Sequence, residues 1–452
     1  MLATLGAPSV EALFDDIPRA LRDQVSCQTL PAQGMSEAAL QQLFSQAAAR
    51  NTGVGMQCFL GGGSYPRFIP AAVHAIAGRS EFYTAYTPYQ PEVSQGTLQA
   101  GFEFQTMIAA LSGMDAANAT VYDGATAVAE AALMALRATR RTRIAVADGL
   151  NPDYAAVLTT YLQAGRKHLE ESASAVFDRF DPADDASLSG LNGAQTAALI
   201  IQAPDYFGRL LLSPRAQAAR AFCQAHGALL IIVADPVSLG LLLPPGAYGA
   251  DIVVGDLQPL GNSMNFGGPT GGYMACKKAL IRQLPGRLIG RARDVKGRPC
   301  YTLTLQTREQ HIRREKAASN ICTNQALNAL RAAAYLALMG PVGLREVAER
   351  SVQRAHRLAD ALTAIPGVTL RYPDRPFFSE FVLRLQRPAG EALTFLQRFG
   401  LLGGIALADD PNALLVSATE LTTSEAIAQY GRALAQFCAL GAAQPLKEDA
   451  TR

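Results

Sequence analysis

The sequence predicts an α/β fold in which a mostly parallel sheet is covered by helices on both faces. Short apolar runs at 144–147, 197–201, 229–234 and 252–254 are each followed by a helical pattern. Such runs are typical of parallel strands that are buried on both faces. Hydrophobic residues make up 49% of the 452 positions and charged residues 17%, so the chain can bury a large core. The most apolar stretch, 228–234, is too short to span a bilayer.

Composition also excludes several classes of protein. Forty Lys and Arg residues against 38 Asp and Glu residues leave a formal net charge of +2, so no overall field attracts nucleic acid or an anionic membrane. Seven scattered cysteines without a CxxC pair argue against a disulfide framework or a structural zinc site and favour a reducing compartment. Because the N-terminus lacks the pattern of a secretion signal, we expect a cytoplasmic protein with no metal site and no membrane partner.

The chain order predicts four segments. Residues 1–80 should form an N-terminal helical arm, in which Ser36 caps a helix with an apolar stripe. That stripe consists of Leu40, Leu43, Phe44 and Ala47. Residues 81–330 should form a large domain with helices at 98–111 and 127–139, and a helix at 324–338 leads into a smaller α+β domain over 331–445. Residues 446–452 are a predicted tail.

A long loop at 57–95 shows no helical or strand period. It contains a glycine triplet at 61–63 and tyrosines at 65, 83, 86 and 89. Loops of this length inside compact domains are usually functional or disordered, and the aromatic content argues against disorder. We therefore expect this segment to serve a binding or catalytic site.

Two positions could hold parts of a phosphorylated cofactor. The turn at 122–126 places Gly124, Ala125 and Thr126 at a helix start, where free backbone N–H groups suit a phosphate. An ordinary helix start capped by Asp123 or Thr126 is the favoured interpretation of this turn alone. Asp235 follows a buried strand, where it could hold the pyridinium proton of pyridoxal phosphate (PLP) or simply form a turn before Pro236.

Two further segments are polar or glycine-rich. The loop at 267–272 contains four glycines, which could form a nest of anion-binding N–H groups or a tight passage between packed layers. The segment 308–316 mixes both signs of charge around His311, and a solvated helix face is the favoured interpretation.

Four longer motifs carry a family resemblance. They are SEFYTAYTPYQPEVSQGTLQ at 80–99, YDGATAVAEA at 122–131, DIVVGDLQPLG at 251–261 and REQHIRREKAASNICTNQALNAL at 308–330. In this order they resemble subunit 1, the N-terminal half, of the glycine cleavage system P protein, a PLP-dependent glycine decarboxylase. The resemblance implies an aspartate-aminotransferase-like fold (PLP fold type I). Such a fold has a mostly parallel seven-stranded sheet in its large domain, a smaller C-terminal domain and a dimeric active site.

The resemblance also implies a reaction and partners. The family decarboxylates glycine and transfers the aminomethyl group to the lipoyl arm of the H protein. This chain would act with a PLP-bearing subunit 2, in a two-plus-two heterotetramer.

A lysine is missing where the catalytic subunit attaches its cofactor. Counting back from Gly267-Gly268-Pro269 by that subunit's spacing reaches Gln258, whose amide cannot form a Schiff base. We therefore predict no catalytic residue and no covalently bound PLP on this chain, and no activity of the chain alone. Asn151 stands where relatives commonly have His, so it would belong with Gly124, Ala125, Thr126 and Asp235 to a vestigial pocket.

We expect this chain to lend residues to the partner's site instead. Tyr83, Tyr86, Tyr89 and Gln90 would wall the substrate cleft, while Glu92, Ser94 and Gln95 fix the loop. Gly267, Gly268 and Thr270 would reach the partner's cofactor phosphate. Three alternatives stay open: a merely structural interface loop, a self-sufficient PLP enzyme that uses Lys277 or Lys278, and a purely structural pseudoenzyme.

Overall fold

The computed structural model describes residues 1–25, 30–31, 33–164 and 177–440. The chain forms two compact units, Met1–Met56 and Gln57–Arg452. Cys27, the predicted tail at 446–452 and the last five residues of the predicted small domain lie outside the described residues.

The first unit consists of short helices. They are α1 (Leu2–Leu5), α2 (Arg19–Arg22) and α3 (Glu37–Ala49), with a 3-10 turn at Glu11–Phe14. The predicted cap of α3 is confirmed, because the Ser36 hydroxyl accepts the Ala39 N–H at 3.3 Å. None of the described residues of this unit is buried, and the stripe residue Phe44 is 66% exposed.

The second unit begins at Gln57, where the sequence predicted a large domain from residue 81. Its first strand, β1 (Gln57–Cys58), pairs in parallel with a strand at Leu401–Leu402. Residues 57–80 therefore belong to the same body as the sheet. They add the short helix α4 (Ala71–Ala77) and lead into α5 (Ser80–Tyr83).

A seven-stranded sheet organises the second unit. Its strands are β2 (Ala116–Ala117), β3 (Arg143–Ala147), β4 (Asp178–Phe180), β5 (Thr196–Ala203), β6 (Leu229–Ala234), β7 (Ile252–Asp256) and β8 (Gly272–Cys276). In space they follow the order β2-β8-β7-β6-β5-β3-β4. Strands β3 to β7 are parallel to one another, β8 runs antiparallel to β7, and the edge strand β2 pairs antiparallel with β8. The four predicted apolar strands are thus confirmed.

Helices cover both faces of this sheet, as predicted. They are α6 (Gln95–Ser112), α7 (Gly124–Thr139), α8 (Pro152–Ala164), α9 (Asp185–Ser189) and α10 (Ser213–His226). Alternate residues of one strand enter different cores, since Leu230 packs with α6 and α10 while Ile231 packs with α7 and α8. This double burial explains why the strands read as continuous apolar runs. A hairpin of β9 (Leu288–Arg293) and β10 (Pro299–Thr304) precedes the short helix α11 (Gln310–Arg313).

The C-terminal part forms a smaller lobe. Helix α12 (Ala326–Thr363) enters it, bent at Gly340. The remaining elements are β11 (Thr369–Leu370), β12 (Glu380–Arg384), α13 (Ala389–Gln397), β13 (Leu401–Leu402), β14 (Ile405–Ala406), β15 (Ala413–Ser417) and α14 (Ser424–Ala439). Four of the strands form an antiparallel sheet in the order β11-β12-β15-β14.

Candidate functional site

A small cavity lies at the carboxyl ends of β5, β6 and β7, where α/β sheets bind ligands. Its lining includes Tyr65, Tyr154, Asp235, Asp256 and Glu380, and its volume is about 40 Å³. Ligand pockets are typically about 300–1,000 Å³. The cavity therefore has room for water but not for a cofactor the size of PLP.

Gln258, at the expected cofactor position, is locked in place by hydrogen bonds. Its side chain is 1% exposed. The Tyr65 N–H donates to Oε1 at 2.8 Å, and Nε2 donates to the Tyr65 carbonyl at 2.9 Å and to the Asn262 carbonyl at 3.0 Å. Both amide hydrogens are thus used. The amide joins the loop before α4 to the end of β7, which is a structural role.

Two carboxylates of this chain accept hydrogen bonds from backbone N–H groups at the start of α7. Asp123 Oδ1 accepts the Thr126 N–H at 2.7 Å, so the capped-helix interpretation of the 122–126 turn is confirmed. Asp256 Oδ2 accepts both the Gly124 N–H at 2.9 Å and the Thr270 hydroxyl at 3.0 Å. Its other oxygen accepts the Gln258 N–H at 2.8 Å. Burial raises the pKa of Asp256 to about 6.

Glu380 fills the opposite wall of the cavity. Its carboxyl oxygens accept the Gly62 N–H at 2.7 Å and the Tyr65 hydroxyl at 2.8 Å. Burial, with Asp235 as a weaker contributor, raises the pKa of Glu380 to about 7, although the hydrogen bonds and Arg67 oppose this shift. No sequence pattern marks this residue, because its hydrogen-bond partners lie in a distant part of the chain.

Asp235 and Asn151 also make local hydrogen bonds. Asp235 Oδ1 accepts the Val237 N–H at 3.0 Å, which is the predicted turn before the next segment. Burial raises the pKa of Asp235, and Arg67 partly offsets the rise. The Asn151 side chain donates to the Gly62 carbonyl at 2.8 Å and accepts the Asp153 N–H at 2.9 Å, so it begins α8.

These residues do not fit PLP. Among the described residues that line the cavity none is a lysine. Lys277 donates to Asp251 Oδ1 at 2.6 Å, before the start of β7, whereas the cavity lies after its end. At roughly 3.3 Å per residue a five-residue strand separates Lys277 and Lys278 from the cavity by about 15 Å. The arrangement gives no support to the alternative of a self-sufficient enzyme that uses either lysine.

A larger cavity of about 200 Å³ lies beside the loop that carries Tyr83, Tyr86 and Tyr89, here called the tyrosine loop. Tyr83 and Tyr86 line it together with Arg287 and Thr323. The Thr323 hydroxyl donates to the Tyr86 hydroxyl at 2.9 Å, and Arg287 Nη2 donates to the Tyr89 hydroxyl at 2.9 Å. The structure therefore brings these three predicted tyrosines to one surface, where they are 67%, 73% and 45% exposed in chain order.

One of the three predicted loop-fixing residues makes the expected contacts. Gln95 Nε2 donates to the Tyr301 carbonyl at 2.9 Å and its Oε1 accepts the Tyr301 N–H at 2.9 Å, which attaches the loop to β10. Ser94 precedes α6 without a side-chain cap. Gln90 and Glu92 are exposed on the loop surface.

Residues 310–316 are all exposed, as the solvated-face interpretation predicts, and Glu309 is the one buried residue of the segment 308–316. Glu309 is 7% exposed, and its Oε2 lies 3.9 Å from Arg287 Nε and 3.6 Å from His311 Nδ1. The His311 ring meets the Tyr89 ring edge-on, with 6.0 Å between centroids. Sequence reasoning missed Arg287 and this contact. The available signal was that the segment belongs to one of the four family motifs.

The glycine-rich loop is exposed at one end and points into the pocket at the other. Gly267 is exposed, and neighbouring Phe266 is 92% exposed in a left-handed conformation with φ of 55°. Gly268 follows at φ of 140°. Thr270, in contrast, points inward to Asp256.

Comparison with known proteins identifies the family. The glycine cleavage system P-protein family matches residues 1–434. A probable glycine dehydrogenase (decarboxylating) subunit 1 from Rhodospirillum rubrum is 49% identical over 435 residues and covers 94% of each chain. The protein of the same name from Chlorobium chlorochromatii is 47% identical over 436 residues and covers 96% of each chain.

Solved structures agree with these matches. An inhibitor-bound crystal structure of glycine decarboxylase (P-protein) of the glycine cleavage system has a TM-score of 0.87 at 43% identity, covering 96% of this chain and 97% of that one. A sphingosine-1-phosphate lyase from Burkholderia pseudomallei shares only the fold, with a TM-score of 0.62 at 16% identity over 93% and 94% of the two chains. The predicted PLP fold type I architecture is confirmed. This chain belongs to the glycine cleavage system P-protein family.

Proposed function

We propose that this chain is the non-catalytic but required subunit of glycine decarboxylase. It acts with a lysine-bearing subunit 2, which holds PLP, in a cytoplasmic two-plus-two heterotetramer. Together they decarboxylate glycine and pass the aminomethyl group to the lipoyl arm of the H protein, as an aminomethyl-transferring glycine dehydrogenase. The chain alone is inactive.

The observation that carries this proposal is the buried amide of Gln258. The Gln258 side chain stands where the amine that binds the cofactor is expected, and three hydrogen bonds hold it there. An amide is neither nucleophilic nor ionisable, so it cannot take up the cofactor aldehyde. The cavity of about 40 Å³ beside it gives further support.

The contribution of this chain to the shared site is its tyrosine loop. Tyr86 and Tyr89 are exposed, yet each hydroxyl is held by a hydrogen bond from Thr323 or Arg287. Side chains that are fixed before they meet a partner lose little entropy on binding. This preorganisation favours a wall of the substrate cleft over a merely structural loop.

The exposed loop at 265–268 is a second contact to the partner. Phe266 extends into solvent from a backbone conformation that ordinary residues rarely adopt. Gly267 and Gly268 lie next to it with free space for an approaching group. Their backbone N–H groups donate to the Met264 and Asn265 carbonyls at 3.0 and 3.3 Å, so they would reach the partner's cofactor phosphate only after these turn bonds open. The Thr270 hydroxyl stays with Asp256.

Reconstitution tests the proposal. Purified chain, lysine-bearing subunit and lipoylated H protein are mixed, and glycine-dependent release of CO₂ is measured beside assembly by gel filtration. We expect activity only from the mixture. Tyr89→Phe should lower turnover by about 10- to 100-fold, since a hydrogen bond from a charged group contributes about 1.5–3 kcal/mol. Tyr372→Phe, on the small lobe, serves as the matched control and should keep full turnover.

Two outcomes would contradict the proposal. One is borohydride trapping of cofactor on this chain by itself. The other is full turnover of the Tyr86→Phe and Tyr89→Phe variants in a correctly assembled complex, which would favour a purely structural pseudoenzyme.

A further inference from the structure

The disagreement between this pocket and PLP extends beyond the missing lysine. Three hydrogen-bond donors from three segments converge on one carboxylate. They are the Gly124 N–H at the start of the 16-residue helix α7, the Thr270 hydroxyl after the glycine-rich loop, and the Gln258 N–H after β7. A helix N-terminus and convergent N–H and O–H donors are the arrangement that proteins use to bind phosphate.

The Asp256 carboxylate occupies the space between these three donors, here called the corner of the pocket. Asp256 lines the small cavity, and a Cβ atom built on Gly124 would lie 3.1 Å from the Asp256 Cβ. The same Cβ atom would overlap the hydroxyl of Tyr154. A phosphate group would therefore find this space already filled by the side chains of Asp256 and Tyr154.

The rest of the cavity wall contributes two further carboxyl groups. Asp235 and Glu380 line the same cavity as Asp256. Arg67 interacts electrostatically with Asp235 and Glu380, and its Nη1 donates to Glu420 and to the Ser351 hydroxyl, each at 2.7 Å. A phosphate dianion entering here would lie near as many as three carboxyl groups, and like charges at such distances repel strongly in a poorly solvated site.

We propose that the Asp256 carboxylate is a built-in anion that occupies the phosphate-binding corner of the pocket and excludes phosphorylated ligands from this chain. The exclusion concerns the pocket of this chain alone, and PLP bound in that pocket would contradict it. It also holds for a chain given a lysine: Gln258→Lys alone would not create a PLP site, because the corner remains filled.

Removal of the carboxylate should open the corner to a free anion. In Asp256→Ala, the Gly124 N–H and the Thr270 hydroxyl lose their acceptor, and inorganic phosphate can replace it. A ligand that binds only the folded state raises the unfolding temperature. We expect millimolar phosphate to raise the melting temperature of this variant by a few degrees, and that of the natural chain not at all.

Two controls separate anion binding from other effects. Sodium chloride at matched ionic strength should give no comparable shift. Asp256→Asn keeps an acceptor in the corner, so it should stay closed to phosphate although its charge is lost.

Each outcome decides the matter. A phosphate shift of the same size in the natural chain, or no shift in a folded Asp256→Ala variant, overturns the proposal. If Asp256→Ala does not fold, Asp256→Ser takes its place, because the hydroxyl can accept a hydrogen bond from one of the three donors. Calorimetry on the natural chain is independent of both variants, and phosphate bound in the pocket at millimolar concentration would also overturn the proposal.

Discussion

Ionisation of the Glu380 carboxyl group makes the stability of the chain depend on pH. It is 6% exposed and its pKa is raised from 4.5 to about 7. The groups that face it are Tyr65, Asp235 and Arg67. Because its pKa is raised in the folded protein, its stabilising contribution is complete below the unfolded pKa of about 4.3 and is lost as the pH rises through about 7.

Glu380→Gln should therefore flatten the dependence of stability on pH. Between about pH 5 and about pH 8 the free energy of unfolding of the natural chain should fall by up to about 3 kcal/mol through this group. The amide variant lacks that term and keeps only the smaller slope from Asp256 and Asp235. Urea unfolding at several pH values measures the difference. Glu349→Gln on the exposed face of α12 should keep the full slope, and an unchanged slope in Glu380→Gln would contradict the assignment.

Single residues were predictable only where a motif marked them. Gln258 and Asn151 were found because the resemblance supplies an expected residue at each position. Glu380 was not found, since the N–H that it accepts belongs to Gly62, 318 positions away. One sequence contains no signal for a pairing over such a distance.

Helix α12 shows how an element depends on one glycine. Gly340 has φ of 57° and ψ of −174° and is followed by Pro341, so the helix bends there. Before the bend Ala332 and Tyr335 pack against the large sheet. After it Leu358 and Leu362 enter the core of the small lobe. The bend therefore lets one helix serve two cores.

Gly340→Ala should destabilise the chain by about 1–3 kcal/mol, because this backbone conformation is almost restricted to glycine. Gly431 is the matched control, since it lies within α14 and a Cβ atom there would meet nothing within 4 Å. Gly431→Ala should stabilise the chain by about 0.5–1 kcal/mol through helix propensity. Chemical unfolding of both variants is the measurement, and equal effects would show that the bend carries no strain.

The sequence predicted the presence of helices and strands with a strong hydrophobic period better than it predicted the residues at which they end. The strand at 229–234 has the predicted bounds, whereas β7 continues to Asp256 and brings that carboxylate to the cavity. The predicted helix at 324–338 continues to Thr363. Gly340-Pro341 looks like a helix end, since glycine commonly terminates helices and proline follows them, but the packing of the small lobe restarts the helix.

At the scale of the second unit, the segment 57–70 joins the sheet to the small lobe. Strand β1 pairs with β13, and Tyr65 is bonded to both Gln258 and Glu380. Arg67, whose side chain is fully buried, forms an ion pair with Glu420 at 2.7 Å. The segment that the sequence presented as a loop without period is thus a structural link.

Arg67→Leu should destabilise the chain by about 3–5 kcal/mol, since it leaves Glu420 buried without its counter-ion. The double variant with Glu420→Leu should recover part of this loss. Arg350→Leu removes an exposed ion pair with Glu346 and should cost less than about 1 kcal/mol. Thermal and urea unfolding compare the three. If the Arg67 and Arg350 variants lose similar stability, the link does not depend on the buried pair.

Fold class and the lobed arrangement of the second unit could be predicted because alternating strands and helices leave a period in the sequence. The role of residues 57–80 could not, because it depends on contacts with β12, β13 and the segment before α14. The same limit applies to the pocket, where the identity of Gln258 was readable and the closing of the corner by Asp256 was not.

The Tyr65–Gln258 bonds have a consequence for synthesis of the protein in the cell. A coenzyme that binds only the folded state of a protein stabilises that state. Under the proposed function PLP binds the partner subunit, and in this chain main-chain groups and the Gln258 amide fill the interior. Cells starved of vitamin B6 are therefore expected to accumulate this chain in folded form.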